Sequence, residues 1–255
     1  MTRASTVQAR VMAGLRMAGL CIAGLCISSA ALADKIGVAA AITNDVQGMA
    51  GTTPIPLKVG SEVFTNQRIR TGDASNAQLL FLDETSLNVG PKSEITLDRF
   101  VYNPNRHAGS VVLTASKGAF RFVTGSQNPV NYSIKTPVAT IGVRGTIVDI
   151  RTGVINGVLT TVVSLIEGRV IITTLNGQTL NLDKPGTSFV VKANGTIQGP
   201  LTGNGQVATF IGEPYRVDIP DNRLDLTDML NGRNTRPNCT QHTFYGAGPG
   251  SGSSC

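Results

Sequence analysis

The sequence predicts an all-β protein, an antiparallel β-sandwich or β-roll of the jelly-roll kind built from many short strands. Three observations carry this prediction. Apolar residues alternate with polar ones at a period of two in several short segments. Turn-forming residues recur about every 8 to 12 residues, the spacing typical of sandwiches and barrels. No window of helical length has a persuasive apolar stripe, so parallel crossover folds are poor alternatives.

The expected strands follow in order along the chain. In the segment from Asn76 to Leu82, Ala77, Leu79 and Phe81 share one face, while Leu80 and Leu82 make the other face apolar, so we expect burial on both sides. Further strands with one buried and one solvent-exposed face are predicted at Leu87 and Val89, at Ile95 and Leu97, at Phe120 and Phe122, and at Val130, Tyr132 and Ile134. Turns are predicted at Arg70 to Ser75, Asn88 to Ser93, Asn103 to Asn105, Thr124 to Pro129 and Asn176 to Gly177.

The first 33 residues have the layout of a secretory signal peptide. Three arginines precede an apolar run from Met17 to Leu32, which is shorter than the ~20 residues that span a bilayer. Small residues before Asp34 predict cleavage between Ala33 and Asp34. We therefore expect a periplasmic or extracellular protein with no retained transmembrane segment. A retained membrane anchor is the alternative.

The remaining chain divides into a β domain over residues 34–199 and an appendage over residues 200–255. The last stretch, from Gly246, consists mostly of Gly and Ser and cannot bury enough apolar surface to order itself. After cleavage of the leader only Cys239 and Cys255 remain, and in an oxidising compartment they could pair and add about 3 kcal/mol of stability. Two free thiols in a disordered tail are the alternative.

Composition excludes several functional classes. Without the leader, 19 Lys and Arg face 16 Asp and Glu, and the charges are scattered, which argues against nucleic-acid binding. His107 and His242 are the only histidines, and no nucleophile, zinc or phosphate-loop motif is present. Four aspartates lie close together at Asp218, Asp221, Asp225 and Asp228, but their spacing does not match a calcium loop. We therefore expect no enzyme activity, no metal and no cofactor.

The most informative segment is T-P-V-A-T-I-G-V-R-G-T-I-V-D-I, residues 136–150. Pro137 should mark a strand start or an edge, and Gly142 and Gly145 should lie where another group comes close. Arg144 is the charge of an otherwise apolar strand. Either it is a structural charge tied to a carboxylate or to carbonyls, with Glu167 and Asp149 as candidates, or it contacts an anionic partner or ligand.

At this segment the chain resembles the FecR family of extracytoplasmic sensor domains. The T-P-x-A-x-I-x-V-R-G-T pattern is similar to the hallmark of that family, and it has ordered companions. These are L-K-V-G-S-E-V-F-T-N-Q-R-I-R-T-G at 57–72, A-Q-L-L-F-L-D at 77–83, S-L-N-V-G-P-K-S-E-I-T-L at 86–97, S-K-G-A-F-R-F at 116–122, S-L-I-E-G-R-V at 164–170 and P-G at 185–186. The resemblance covers about residues 38–191.

Two local departures and one architectural departure accompany the resemblance. The family's D-G-[ST] turn reads Asp83, Glu84, Thr85 here, which predicts a looser loop than a two-residue hairpin. Val148 stands where the family commonly has Phe. Founding members place a sigma-factor-binding region and a membrane helix before this domain, where this chain has the predicted leader.

The resemblance implies a non-enzymatic sensory or scaffold module that binds an envelope protein or an unknown ligand. The alternative is a surface or secreted adhesin-like structural protein, favoured by the Thr-, Asn- and Gly-rich strands and the Gly/Ser tail.

Overall fold

A computed structural model describes residues 33–103 and 108–211. These residues form fifteen strands, one short 3-10 turn at Pro129–Asn131 and one helix. The first eight strands are β1 Lys35–Thr43, β2 Val46–Ala50, β3 Thr53–Pro56, β4 Glu62–Phe64, β5 Arg68–Thr71, β6 Asn76–Phe81, β7 Ser86–Val89 and β8 Glu94–Asn103. The others are β9 Ala108–Val123, β10 Tyr132–Lys135, β11 Ala139–Ile155, β12 Val158–Thr174, β13 Thr179–Leu182, β14 Thr187–Lys192 and β15 Ile197–Thr202. The helix, α1, is Gly203–Ile211.

All fifteen strands belong to one hydrogen-bonded sheet, which folds over into two layers. Layer A runs β3, β2, β5, β8, the first part of β9, β10, the first part of β11, the second part of β12, and β13. Layer B runs β4, β1, β6, β7, the second part of β9, the second part of β11, the first part of β12, β14 and β15. The all-β prediction is confirmed. The β9–β10 pair is parallel, so the sheet is mixed rather than purely antiparallel.

Three long strands connect the layers. β9, β11 and β12 have 16, 17 and 17 residues, which makes them longer than the many short strands that the sequence predicts. Each contains a glycine with positive φ where its pairing changes from one layer to the other: Gly118, Gly145 and Gly168. A left-handed glycine lets a strand bend sharply without breaking, which is how one strand can serve two layers.

The core lies between the layers. The alternating residues predicted to face inward at 77 to 81, 87 and 89, 95 and 97, 120 and 122, and 132 and 134 are buried there in one cluster. Aromatic side chains meet across the layers: the rings of Phe122 and Tyr132 are 5.8 Å apart, and those of Phe81 and Phe100 are 5.7 Å apart. Both pairs have the edge-to-face geometry that aromatic rings prefer.

Two predicted burial positions are wrong. Leu82 is 52% exposed, because β6 ends at Phe81 and Leu82 begins the following turn, so β6 is not apolar-buried on both faces. Val130 is 62% exposed, because it lies in the 3-10 turn rather than in β10. In both cases the alternation of apolar residues in the sequence extends beyond the end of the strand, so it predicts burial where the strand has already ended or has not yet begun.

The predicted turns at Thr124 to Pro129 and Asn176 to Gly177 fall between strands, and those at Arg70 to Ser75 and Asn88 to Ser93 begin in the last residues of β5 and β7. The turn predicted at Asn103 to Asn105 lies outside the described residues after Asn103. A sixth turn, which sets the register of the longest hairpin, is Asn156 and Gly157 between β11 and β12. Both residues have positive φ, at 50° and 78°, and Ile155 pairs with Val158. This is the Asn-Gly geometry that two-residue hairpins favour.

The chain continues as ordered structure past residue 199. β15 spans Ile197–Thr202, so the expected domain boundary at 199 falls inside a strand. α1 then packs its Val207 on the outer face of layer B, against Val162, Val190 and Leu201. Within the described residues, no helix is long and apolar enough to cross a membrane.

Candidate functional site

The segment at 136–150 begins with a tight turn. Thr136, between β10 and β11, accepts hydrogen bonds from the backbone N–H groups of Val138 and Ala139 at 3.4 and 3.1 Å, and its hydroxyl donates to the Ala139 carbonyl at 3.0 Å. Pro137 lies within this turn, just before β11, as the predicted strand start requires. The turn fixes where β11 begins and therefore which of its residues face outward.

A β-bulge follows at Gly145 and Thr146. Register shifts there, and Gly145 has a φ of +56°. The Thr146 hydroxyl accepts from the Arg144 backbone N–H at 2.9 Å and donates to the Arg169 carbonyl at 2.8 Å. One hydroxyl thus ties together the backbones of two arginines on adjacent strands.

Glycines at this bulge serve different purposes from those expected. The expected close approach at Gly142 and Gly145 is wrong: a Cβ at Gly142 would touch only a carbonyl oxygen at 3.8 Å, and one at Gly145 would meet nothing within 4 Å. The close approach falls on Gly168, where a Cβ would lie 1.9 Å from the Gly145 carbonyl oxygen. Gly145 is required for its backbone angle, and Gly168 for the space it leaves.

The bulge presents Arg144 and Arg169 side by side. The two residues are register partners on antiparallel strands, so their side chains leave the same face of layer A with Cα atoms about 5 Å apart. Both are exposed. We call these two arginines, with Gly145, Thr146 and Gly168, the arginine platform.

Within the described residues, Arg144 forms no ion pair with Glu167 or Asp149, the two carboxylates considered for a structural role. Arg144 is exposed rather than buried, and no ion pair of Arg144 or Arg169 is found within residues 33–103 and 108–211. Glu167, one of its expected partners, is exposed and lies opposite Ile147, beyond the bulge. The other, Asp149, belongs to a different pair. The reading of Arg144 as a contact for an anionic partner or ligand remains a prediction.

Asp149 pairs with Arg121 on the outer face of layer B. The guanidinium donates from Nε to Oδ1 at 2.8 Å and from Nη2 to Oδ2 at 3.0 Å, the bidentate geometry that suits an arginine and a carboxylate. The Asp149 side chain is 9% exposed and that of Arg121 is 19% exposed. β9 and β11 bring the two together because Arg121 and Asp149 are direct register partners.

A buried carboxylate, Asp83, lies at the end of the molecule where β11 and β12 bulge. Its Oδ2 accepts from Gln127 Nε2 at 2.7 Å and from the Tyr132 hydroxyl at 2.9 Å, while its Oδ1 accepts from the Thr85 N–H at 3.1 Å. The residue is 0% exposed. Three donors compensate the desolvation of this carboxylate, and they come from both layers and from the loop between β9 and β10.

The turn that holds Asp83 has three residues rather than two, as the missing glycine predicted. Phe81 N–H donates to the Thr85 carbonyl at 2.9 Å, and Glu84 takes a φ of +67°. A glycine adopts that angle without steric cost, whereas glutamate does so with strain. The carboxylate at position 83 is thereby aimed inward and the side chain of Glu84 is exposed.

Asp83 is connected to the arginine platform through the loop at residues 124–128. The Ser126 N–H donates to the Asp83 carbonyl at 2.7 Å, which anchors the loop on the turn. At the start of the loop, Thr124 N–H donates to the Thr146 carbonyl at 3.1 Å, and Thr146 N–H donates to the Thr124 hydroxyl at 2.8 Å. The buried network therefore supports the residue that positions both arginines.

The buried environment changes the pKa of Tyr132. Burial raises the pKa of Tyr132 to about 12, and the nearby Asp83 charge adds to the rise. A hydroxyl with so high a pKa stays protonated and keeps donating to Asp83 across the physiological range.

Several residues singled out from sequence lie outside the described residues: Cys239, Cys255, His107, His242, and the four aspartates at 218, 221, 225 and 228. The predicted leader, residues 1–32, also lies outside them. Ala33 and Asp34, the expected cleavage pair, are the first residues described, and both are exposed. Across the part of the chain that the structure describes, no group of three or more His, Cys, Asp or Glu side chains could hold a metal ion.

The sequence pattern does not predict that Asp83 and Tyr132 share one buried network, or that Arg121 pairs with Asp149. By sequence Asp83 is only a turn residue, and Arg121 is only the polar residue between two buried phenylalanines. A signal for Arg121 exists, since an arginine between two core residues of one strand must leave the opposite face. Its partner is 28 positions away and is set by strand pairing alone.

Part of the chain that includes this site matches a known protein family. Residues 67–171 match the family model described as FecR protein, a range that includes Asp83, Arg121 and the whole arginine platform. No curated protein matches the sequence at a significant level.

Among solved structures, two crystal structures of a candidate anti-sigma factor from Parabacteroides distasonis ATCC 8503 are similar to this chain. They share 16% and 15% identity, each with a TM-score of 0.42 over 56% of this chain. The chain spans 64% and 63% of their lengths. Residues 67–171 of this protein thus match a FecR domain.

Proposed function

We propose that this protein is an exported, non-enzymatic FecR-domain protein, an extracytoplasmic sensory or scaffold module that binds an envelope partner or ligand through the outer face of layer A. The observation that supports this proposal is the placement of Arg144. The hallmark segment of the family directs its one arginine to solvent, beside a second arginine and away from any carboxylate partner in the described residues.

The rest of the same face is suited to binding. Lys135, directly paired with Thr140 on β11, and Arg99, paired with Val112 on β9, are exposed on it as well. Hydroxyl-bearing side chains lie between these cations, and Glu94, an acid at the margin of the face, is already paired with Arg68 and Arg70 at 3.6 and 3.1 Å. A face of unpaired cations and hydroxyls is complementary to an anionic surface.

Export is tested by mass spectrometry of the protein recovered from fractionated cells. The expected result is an N-terminus at Asp34 in the periplasmic or extracellular fraction. Recovery of chains that begin at Met1 in the cytoplasm would refute the export part of the proposal.

Partner binding is tested by site-specific photo-crosslinking in living cells. A photoreactive residue in place of the exposed Thr140, in layer A, should give a defined crosslinked species that is lost when Arg144→Ala is added. The matched control is the same photoreactive residue at Val154, which is 72% exposed at the end of the β11–β12 hairpin. Equal crosslinking from both positions, or none from Thr140, would count against the proposal.

A further inference from the structure

The arginine platform places two like charges in the least favourable cross-strand arrangement. Directly opposed residues on antiparallel strands are nearest neighbours, and like charges there destabilise the pair. Elsewhere in the described residues, the close charge pairs of neighbouring strands are of opposite sign, as with Arg70 and Glu94 on β5 and β8 or Arg121 and Asp149 on β9 and β11. The pair of Arg144 and Arg169 therefore requires a reason other than stability.

The local backbone holds this repulsive pair in place. The Thr146 hydroxyl binds the backbone of both arginines at 2.9 and 2.8 Å, and Gly168 permits the close approach of the two strands. Thr146 is also hydrogen-bonded to Thr124, which begins the loop that is anchored on Asp83. Binding sites gain affinity when their backbone is organised before the ligand arrives.

Resting on the proposed function, and defining what its face recognises, we propose that Arg144 and Arg169 together bind one phosphate dianion. Each guanidinium offers five N–H donors in a planar fork, and the two together carry a charge of about +2. A phosphate monoester carries a charge of about −1.5 to −2 and three strong acceptor oxygens. One such group can accept from both forks and cancel their repulsion, whereas a single carboxylate leaves one positive charge uncompensated.

The phosphate dianion can come from solution or from a lipid headgroup, since the recognised chemistry is the same. Free inorganic phosphate is the probe for the first source. Phosphatidylcholine vesicles that contain phosphatidic acid, compared with vesicles of phosphatidylcholine alone, are the probe for the second.

The test is a titration of the purified protein with inorganic phosphate at fixed ionic strength, followed by the NMR signals of the arginine side chains and of the amides at 144–146 and 168–169. The expected result is a saturable shift confined to the platform. Arg144→Gln and Arg169→Gln should each weaken binding at least about tenfold, which corresponds to ~1.4 kcal/mol. Lys58→Gln, which removes an exposed cation from the turn between β3 and β4, should change binding less than about twofold because Lys58 is outside the platform and outside the proposed binding face.

Other arms separate a specific site from general charge attraction. Arg144→Lys keeps the charge but loses the planar fork, so it should bind phosphate more weakly than the parent protein. Acetate at the same ionic strength should leave the platform signals in place. Acetate shifts as large as those of phosphate, or phosphate binding that survives in the protein with both Gln substitutions, would overturn the proposal.

For the lipid source, phosphatidic acid vesicles should bind the parent protein, and inorganic phosphate should compete. Vesicle binding that persists with both Gln substitutions would be an attraction of the whole basic face and would contradict the site. The two proposals fail differently. A crosslinked partner from Thr140 without phosphate binding overturns only this inference, while phosphate binding without any partner or membrane overturns only the proposed function.

Discussion

The Tyr132 hydroxyl donates a 2.9 Å hydrogen bond to Oδ2 of Asp83, a residue 49 positions earlier in the chain. Asp83 lies in the turn between two strands of layer B, and Tyr132 begins a strand of layer A. Both are buried. This bond joins the two layers at the end of the molecule where the arginine platform lies. The loop at residues 124–128 connects Asp83 to Thr146.

Removal of the Asp83 carboxylate should destabilise the domain strongly. Asp83→Ala leaves the buried donors of Gln127 and Tyr132 without their acceptor, at a cost of about 3 kcal/mol. For a domain of this size the Tm should fall by roughly 6–12 °C, measured by differential scanning calorimetry. Asp73→Ala is the matched control, because the Asp73 side chain is 86% exposed and pairs with the exposed Lys92. A Tm for Asp83→Ala within the range of that control would contradict the role of the network.

The stability of the domain should fall in alkaline solution because of Tyr132. The pKa of Tyr132 is about 12 in the folded state against 10.0 for an unperturbed tyrosine, so the folded state holds its proton more tightly. This contribution is complete below pH 10, and it is lost as the pH rises from 10 to 12, at about 1.4 kcal/mol per pH unit. Urea unfolding at a series of pH values measures the slope.

The control for this pH dependence is a pair of phenylalanine variants. Tyr132→Phe should lower stability near neutral pH, since Asp83 loses a donor, and should flatten the decline between pH 10 and 12. Tyr102→Phe, at a half-buried tyrosine of β8, should leave the decline in place. An unchanged slope in Tyr132→Phe would show that another group titrates.

Substitution of Arg121 on β9 and of Arg144 on β11 should change the stability of the domain in different ways. Arg121→Ala leaves Asp149 as a nearly buried carboxylate without its bidentate partner, which we expect to cost about 3 kcal/mol in urea unfolding. Arg144→Ala removes an exposed charge that faces Arg169, so it should leave stability unchanged or raise it slightly at low salt. Equal destabilisation by both substitutions would contradict the assignment of Asp149 to Arg121.

At the bulge, a Cβ that lacks space should destabilise the domain more than an unfavourable backbone angle alone. Gly168 and Gly177 have similar φ values, 85° and 82°, but a Cβ meets the Gly145 carbonyl oxygen at 1.9 Å in the first and nothing within 4 Å in the second. Gly177→Ala should cost about 1 kcal/mol for the angle, and Gly168→Ala about 2 kcal/mol more for the displaced backbone. Thermal unfolding of the two variants measures the difference. Equal losses would show that β12 can move away from β11 without cost.

Local pattern determined much of this protein. The period of two placed the core residues of five strands, since alternation fixes which side chains share a face whatever the neighbouring strand is. Gly, Asn and Pro placed the turns, because their backbone preferences act over two to four residues. The ordered motifs predicted the resemblance to FecR domains, and residues 67–171 match that family model.

Only the tertiary structure decided the partners of the charges. Asp149, five residues along the same strand, was one candidate partner for Arg144, but β11 passes from layer A into layer B at the bulge of Gly145 and Thr146. Asp149 therefore lies opposite Arg121. Asp83 was a turn residue by sequence and is a buried anchor by structure. Alternation fixes the face of a side chain, but strand order, register and bends fix what stands opposite it, and these depend on contacts between residues far apart in the chain.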